Sequence, residues 1–199
     1  MSDNKHAGEF DKLIKDIQAL RLRLIRHAAA LALAFFKQSF VNQGFTDNAL
    51  VKWDSRIPGT PNDKGRAIET NRGILKRGLR IKKADASGAI VGMDEAITYA
   101  ETQNFGGKIP LTPKMRRFFW AMYFQAAGAK IYNVKTKAAA DTKRNQALDD
   151  KAQFWKNLAI SKEKFITIPA RQFIGDSHTL ERQIINYVTT ELDKYFKAA

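Results

Sequence analysis

The chain has 199 residues, 44% of them hydrophobic and 11% aromatic, with Phe 13 the leading aromatic; that is enough apolar material for the core of one domain and too much for wholesale disorder. It contains no cysteine, which excludes a disulfide framework, cysteine-ligated zinc and a thiol nucleophile. Lys+Arg 34 against Asp+Glu 20 give a net charge of +14, a surface that attracts polyanions such as nucleic acid, an anionic membrane or an acidic partner.

The elements follow in chain order. From about Glu9 to Phe40, the residues Phe10, Leu13, Ile17, Leu20, Leu24, Leu31 and Phe35 recur at helical spacing, with Lys12, Lys15, Asp16, Gln18, Arg21, Arg23 and Arg26 on the wet face. Residues 27–36 are apolar nearly all round, which predicts burial on more than one side, in the protomer or against a neighbouring subunit. Asn42-Gln43-Gly44 is read as the helix stop. Residues 54–65 hold Pro58, Gly59, Pro61 and Gly65, the chemistry of an exposed loop, with Trp53 as its anchor.

A short helix or turn is expected at residues 71–78, then two strands, 79–83 and 89–93, joined by the turn residues Asp85-Ala86-Ser87-Gly88. Residues 96–103 lean towards a helix that breaks at Gly106-Gly107. Thr112-Pro113 supplies an N-cap and a first-turn proline for the aromatic run 118–124, which Gly128 ends. Residues 129–143 read as a mobile connection to a second helix that ends near Ala159. Phe165 to Ile168 alternates like a short strand stopped by Pro169. Leu180, Ile184, Val188, Leu192 and Phe196 then mark a closing helix capped by Asp176 or Ser177. The expectation is one α+β domain over 1–199: a long N-terminal and a C-terminal amphipathic helix packed on a small antiparallel sheet, with 111–161 as a helical insertion. Residues 1–6 are polar with no adjoining signal-peptide core. The strongest apolar run, 28–36, falls far short of the ~20 residues that span a bilayer, so no membrane partner is expected.

Catalytic constellations are poor. His6, His27 and His178 have no metal-ligand spacing. Asp176, Ser177 and His178 are the residue types of a hydrolytic triad, but adjacent positions at a helix start point in different directions, so capping is the better reading. In residues 59–65, Lys64 precedes Gly65, against the order a phosphate loop requires. Asp94-Glu95 and Asp149-Asp150 read as surface charges. No catalytic residue, cofactor or metal is expected.

Half of the charge excess lies in residues 64–83, where Lys64, Arg66, Arg72, Lys76, Arg77, Arg80, Lys82 and Lys83 face only Glu69. Arg72, Lys76, Arg77, Arg80, Lys82 and Lys83 are therefore candidates to face DNA or an acidic partner. A solvated face is the commoner meaning of such a run, and no helix-turn-helix, OB or RRM pattern accompanies it.

An ordered series of short motifs carries more. It runs from Ser39-Phe40 and Gly44-Phe45 through Trp53 to residues 70–78, which match a T-x-x-G-x-L-x-x-S element through Thr70, Gly73 and Leu75, with Gly78 in the serine place. Tyr99, Ala100 and Gly106 fit YA-x-x-H-x-x-G, with Gln103 in the histidine place. Residues 168–175 fit IPARPFLG, with Gln172 for proline. In this order the motifs resemble the phage virion-morphogenesis family, also described as tail-completion or tail-component proteins, over roughly residues 36–196.

The resemblance implies a non-enzymatic role in tail completion or head–tail joining, as a homo-oligomeric ring that contacts head-connector or tail-tube proteins near packaged DNA. It also implies a virion location, with assembly in the cytoplasm of the bacterial host. On the residues themselves, Pro169 stops a strand, Phe173 anchors a turn, and Gly175 permits a left-handed exit into the last helix. Gly73 and Leu75 read as a turn and a core anchor. Arg171 could serve the corner or bridge subunits. Tyr99, Gln103, Phe35, Phe119 and Trp120 are the further candidates for subunit contact, with burial of the aromatic run inside the protomer as the default. The competing function is nucleic-acid binding through residues 64–83.

Overall fold

The computed structural model describes residues 3–54, 73–132, 137–140 and 142–198. The loop read at 54–65 lies outside them beyond Asp54, as do Thr70, Asn71 and Arg72. Helix α1 spans Asp3–Asn42. It stops where Gln43 turns left-handed at φ 52, and Gly44 opens β1 (Gly44–Thr46) against β2 (Leu50–Lys52). A Cβ on Gly44 would stand 2.3 Å from the Val51 carbonyl oxygen, so close strand approach is what demands glycine there. Lys52 Nζ donates to the Asn42 carbonyl at 2.6 Å, a cation on the negative end of the long helix.

Helix α2 (Ile74–Gly78) leads into the hairpin β3 (Leu79–Asp85) and β4 (Gly88–Met93). The Asp85 carboxylate accepts the Ser87 N–H at 2.8 Å and so shapes the turn. Register runs from Leu79 opposite Met93 to Asp85 opposite Gly88, with a bulge at Lys82 between Ile81 and Lys83. Helix α1 lies across this hairpin. Phe36, Phe40, Phe45, Leu75, Leu79, Ala100, Phe173 and Leu180 close the main core, with Leu33, Phe35, Trp53, Met93, Ile97 and Ile184 against it. Full burial of each large side chain contributes roughly 1.5–3 kcal/mol. The all-apolar part of α1 thus covers itself largely within the protomer, on the hairpin side and on the side of the last helix.

After α3 (Ala100–Phe105) comes β5 (Gly107–Pro110), which pairs antiparallel with β6 (Phe165–Ile168). Between these strands stand α4 (Pro113–Gly128) and α5 (Lys143–Ile160). They pack on one another around Phe119, Trp155 and Ala159, with Met115, Trp120, Met122 and Ile166 at the margin. Thr112 caps α4 by accepting the Met115 N–H at 3.3 Å. Arg116 donates to the carbonyls of Ala159 at 3.0 Å and Glu163 at 3.1 Å, closing the end of α5. Buried Asn145 organises the connection by accepting from Ile131 N–H at 3.0 Å and donating to the Ile131 and Ala140 carbonyls.

The last helix, α6 (His178–Ala198), is amphipathic. Its inward stripe is Leu180, Ile184, Tyr187, Val188, Glu191, Leu192 and Tyr195, whereas Phe196, expected inside, is 68% exposed. It runs antiparallel to α1: Tyr187 stacks on His27 at 3.8 Å between centroids, and Arg23 pairs with Glu191 at 3.5 Å. At that spacing the described end of α6 reaches α1 near Asp16. Phe10, Leu13 and Ile17, which the periodicity sets on the apolar face, are accordingly exposed, as is Ile14. The fold class is α+β as expected, with the strands distributed over three two-stranded ribbons.

Candidate functional site

The motif stretches meet at one corner. Residues 168–175 leave β6 at Ile168, turn at Pro169 and enter α6, and several of their backbone groups bond to residues distant in sequence. Arg171 N–H donates to the Gln103 carbonyl at 2.8 Å. Phe173 and Ile174 N–H both donate to Asn104 Oδ1, at 2.8 and 3.1 Å, while Asn104 Nδ2 donates to the Ile174 carbonyl at 3.0 Å. Trp53 Nε1 donates to the Gln172 carbonyl at 2.8 Å. Phe173, 1% exposed, sits against Phe40 at 5.2 Å between centroids and shares the core with Leu75.

Two glycines make the corner possible. Gly106 has φ 74, and a Cβ there would lie 2.9 Å from the Ala170 nitrogen and 3.0 Å from the Ile168 carbonyl oxygen. Gly175 has φ 154, an extended positive-φ conformation and not the left-handed helical exit read from the sequence. Gly73, at φ 61, precedes α2 in the left-handed region. Gly78 is buried with Ile97 Cδ1 2.2 Å from where a Cβ would stand, so Ile97 fills the space that a serine side chain would need.

Asn104, 2% exposed, is the residue that sequence reasoning missed. It stands at an unspecified position of the motif from Tyr99 to Gly106. The signal was an amide directly before Phe105-Gly106, since Asn is the side chain best matched to exposed backbone donors and acceptors together.

The candidate contact residues scatter. Tyr99 is 43% exposed. Gln103 and Arg171 lie partly buried beside one another at the corner, with Gln103 Oε1 buried and without a hydrogen-bond partner among the described residues. Phe35 packs edge-on against Phe36 and Phe45. Phe119 stacks on Trp155 inside the helical hairpin and offers no outer surface, a correction to its candidacy. Trp120 is half-buried among Tyr123 and Phe124. The exposed members of that aromatic run are Phe118 and Phe124.

The basic segment looks different in three dimensions. Arg72 lies outside the described residues. Arg80 pairs with Asp94 at 2.8 Å, Lys82 with Glu95 at 3.0 Å and Lys83 with Asp85 at 3.4 Å. Within residues 64–83 only Glu69 opposes the cations, but the hairpin folds back acids from beyond that window. Lys76 is half-buried and Arg77 exposed on α2. The Ser87 hydroxyl and N–H, with Lys83, hold the Asp85 carboxyl below its usual range.

A second polar cluster ties the first hairpin to α6. Asp47 accepts the His178 N–H at 2.8 Å and contacts His178 Nδ1 at 2.9 Å. The backbone and ring of His178 hold the Asp47 carboxyl low, and the Asp47 carboxylate holds the imidazole above its ordinary value of 6.5. Ser177 Oγ donates to the Thr46 carbonyl at 2.9 Å and accepts the Leu180 N–H at 3.2 Å. That hydroxyl is engaged by two backbone groups and caps the helix, and the carboxylate partner of His178 is Asp47 and not Asp176.

Among the described residues there is no group of three or more His, Asp or Glu placed to hold a metal ion, and no helix is long and apolar enough to cross a membrane. No protein-family model matches the chain, and neither curated proteins nor solved structures give a match.

Proposed function

We propose that this chain is a non-enzymatic assembly protein of a tailed phage or prophage, acting as a ring in tail completion or head–tail joining. The observation that carries the reading is the convergence at the corner. Trp53, Leu75, Asn104, Gly106 and Phe173 belong to motifs far apart in sequence, yet they are bonded or packed within one structural unit. The corner is a scaffold, and a scaffold that displays a half-buried Arg171 and an exposed Tyr99 on its rim suits contact with a neighbouring subunit. Ring closure needs two different complementary surfaces per subunit. Exposed Phe10, Leu13, Ile14 and Ile17 on α1, and Phe118 and Phe124 on α4, supply apolar surface at separate places on the protomer.

The test is electron microscopy of particles made with and without the protein. Complete tails that fail to join filled heads, rescued by supplying the protein in trans, are the expected result. Normal infectious particles in its absence would overturn the proposal.

A further inference from the structure

We propose that the β5–β6 ribbon at the root of the helical hairpin binds single-stranded nucleic acid. Register places Lys108 opposite Thr167 and Pro110 opposite Phe165, and directly opposed residues share a face of an antiparallel pair. All four are exposed, while Ile109 and Ile166 turn inward and Ile166 joins the hairpin core.

Further cations flank the two strands along the chain. The Leu111 N–H donates to the Lys164 carbonyl at 2.8 Å, and Arg116 holds the Glu163 carbonyl, so Lys162 and Lys164 lie against the first turns of α4. Lys114 and Arg117 stand exposed there. In residues 107–117 and 161–168 the only acid is Glu163. The β3–β4 hairpin neutralises its cations internally; Lys108, Lys114, Arg117, Lys162 and Lys164, by contrast, form no ion pair among the described residues. Among the described residues the root of the hairpin therefore carries cations without acidic partners, whereas Arg80, Lys82 and Lys83 of the basic segment are paired.

Two physical points turn this from a solvated face into a binding surface. Cations in the first turns of α4 oppose the positive end of the helix dipole, where stability alone favours Asp or Glu, and α4 has no acid in its first turn. Dipole and cations add for an arriving phosphate. In the same field Phe165 is half-exposed, and its ring meets no other aromatic ring among the described residues. A half-exposed apolar ring on the face that carries Lys108 is a stacking platform for a base, and a duplex keeps its base faces covered, so the partner is a single strand.

Fluorescence anisotropy of the full chain with a labelled oligothymidylate, over a series of salt concentrations, tests this. Affinity should fall with salt by about 0.7 log units per log unit for each phosphate neutralised. The combined K108E/K162E/K164E variant should lose at least about tenfold and flatten that slope. F165A should lose about five- to hundredfold with the slope unchanged, the signature of lost stacking. The control R80Q/K82Q/K83Q should bind like the parent. Circular dichroism verifies folding, and K108Q/K162Q/K164Q replaces any charge reversal that fails to fold. A control variant that loses as much as the ribbon variant, an F165A that binds like the parent, or a blunt duplex that binds more tightly than the single strand would overturn the proposal. Equal binding of polyglutamate would overturn it in favour of an acidic protein partner.

Discussion

Replacing Asn104 with alanine should destabilise the protein by about 3 kcal/mol. The carboxamide satisfies the N–H groups of Phe173 and Ile174 and the carbonyl of Ile174. Alanine strands all three, and with Asn104 2% and Phe173 1% exposed and Ile174 half-buried, water replaces the bonds poorly without opening the corner. A stranded buried polar group costs about 1–3 kcal/mol, and the low end applied to each group gives the figure. Chemical denaturation followed by tryptophan fluorescence would measure the loss as a lower midpoint at unchanged slope. Hydrogen exchange should show faster exchange at the Phe173 and Ile174 amides than the global loss explains. Asn104→Asp keeps the acceptor, loses the donor and places a charge in the core, so it should be no better than alanine. A midpoint for Asn104→Ala within about 0.5 kcal/mol of the parent would refute the view of the corner as a single bonded unit.

Gly106→Ala should cost about 2 kcal/mol or more, because positive φ and the Ala170 and Ile168 backbone both oppose a Cβ; Gly8→Ala, with nothing within 4 Å, should be neutral or stabilising by up to about 1 kcal/mol in thermal melts. Arg116→Ala should lower stability by about 1–3 kcal/mol through lost charge-assisted bonds at the end of α5, and Arg116→Lys should restore only part, since one ammonium does not span the carbonyls that the guanidinium bridges. The Asp47–His178 contact should make stability depend on pH in two windows. His178 titrates above 6.5 when folded, so its contribution is full below that value and disappears as pH rises through the raised pKa. Asp47 titrates below 3.8 when folded, so its contribution is present above that value and disappears as pH falls through the lowered pKa. His178→Ala should abolish the upper window in denaturation series across pH, and an NMR titration of the His178 ring should report a raised midpoint.

How far the sequence could be read depended on how local each signal was. The helices α1, α4, α5 and α6 and the β3–β4 hairpin each carry periodicity, caps or turn residues within their own length, and those elements are present. Strands β1 and β2 escaped because each is three residues, too short for alternation to register, and β5 because its Gly107 and Pro110 read as breakers and its partner begins only at Phe165. Phe10 to Ile17 illustrates the opposite failure. Its helical period is real, but period says which face is apolar and leaves open whether anything covers it. Charge failed in a similar way: Arg80, Lys82 and Lys83 dominate a window of sequence, while their counter-charges Asp85, Asp94 and Glu95 arrive through strand pairing. The partners of Asn104 were illegible because they are backbone groups some seventy residues away, as the separations of 69 and 70 record.

The ribbon beneath the helical hairpin also bears on the order in which the chain folds. Pairing Gly107–Pro110 with Phe165–Ile168 closes a long loop, and the chain entropy of such closure normally delays a contact. Here the loop consists of two helices whose own contacts are short-range or confined to one antiparallel pair. Once α4 and α5 have zipped together, their open ends carry the two strands to within bonding distance, and the remaining closure is small. Pulse-labelled hydrogen exchange should therefore find amides of α4 and α5 protected before those of β5 and β6. The ribbon is sealed by the structure it supports, and anything bound to its outer face would stabilise the last step of assembly and leave the first untouched.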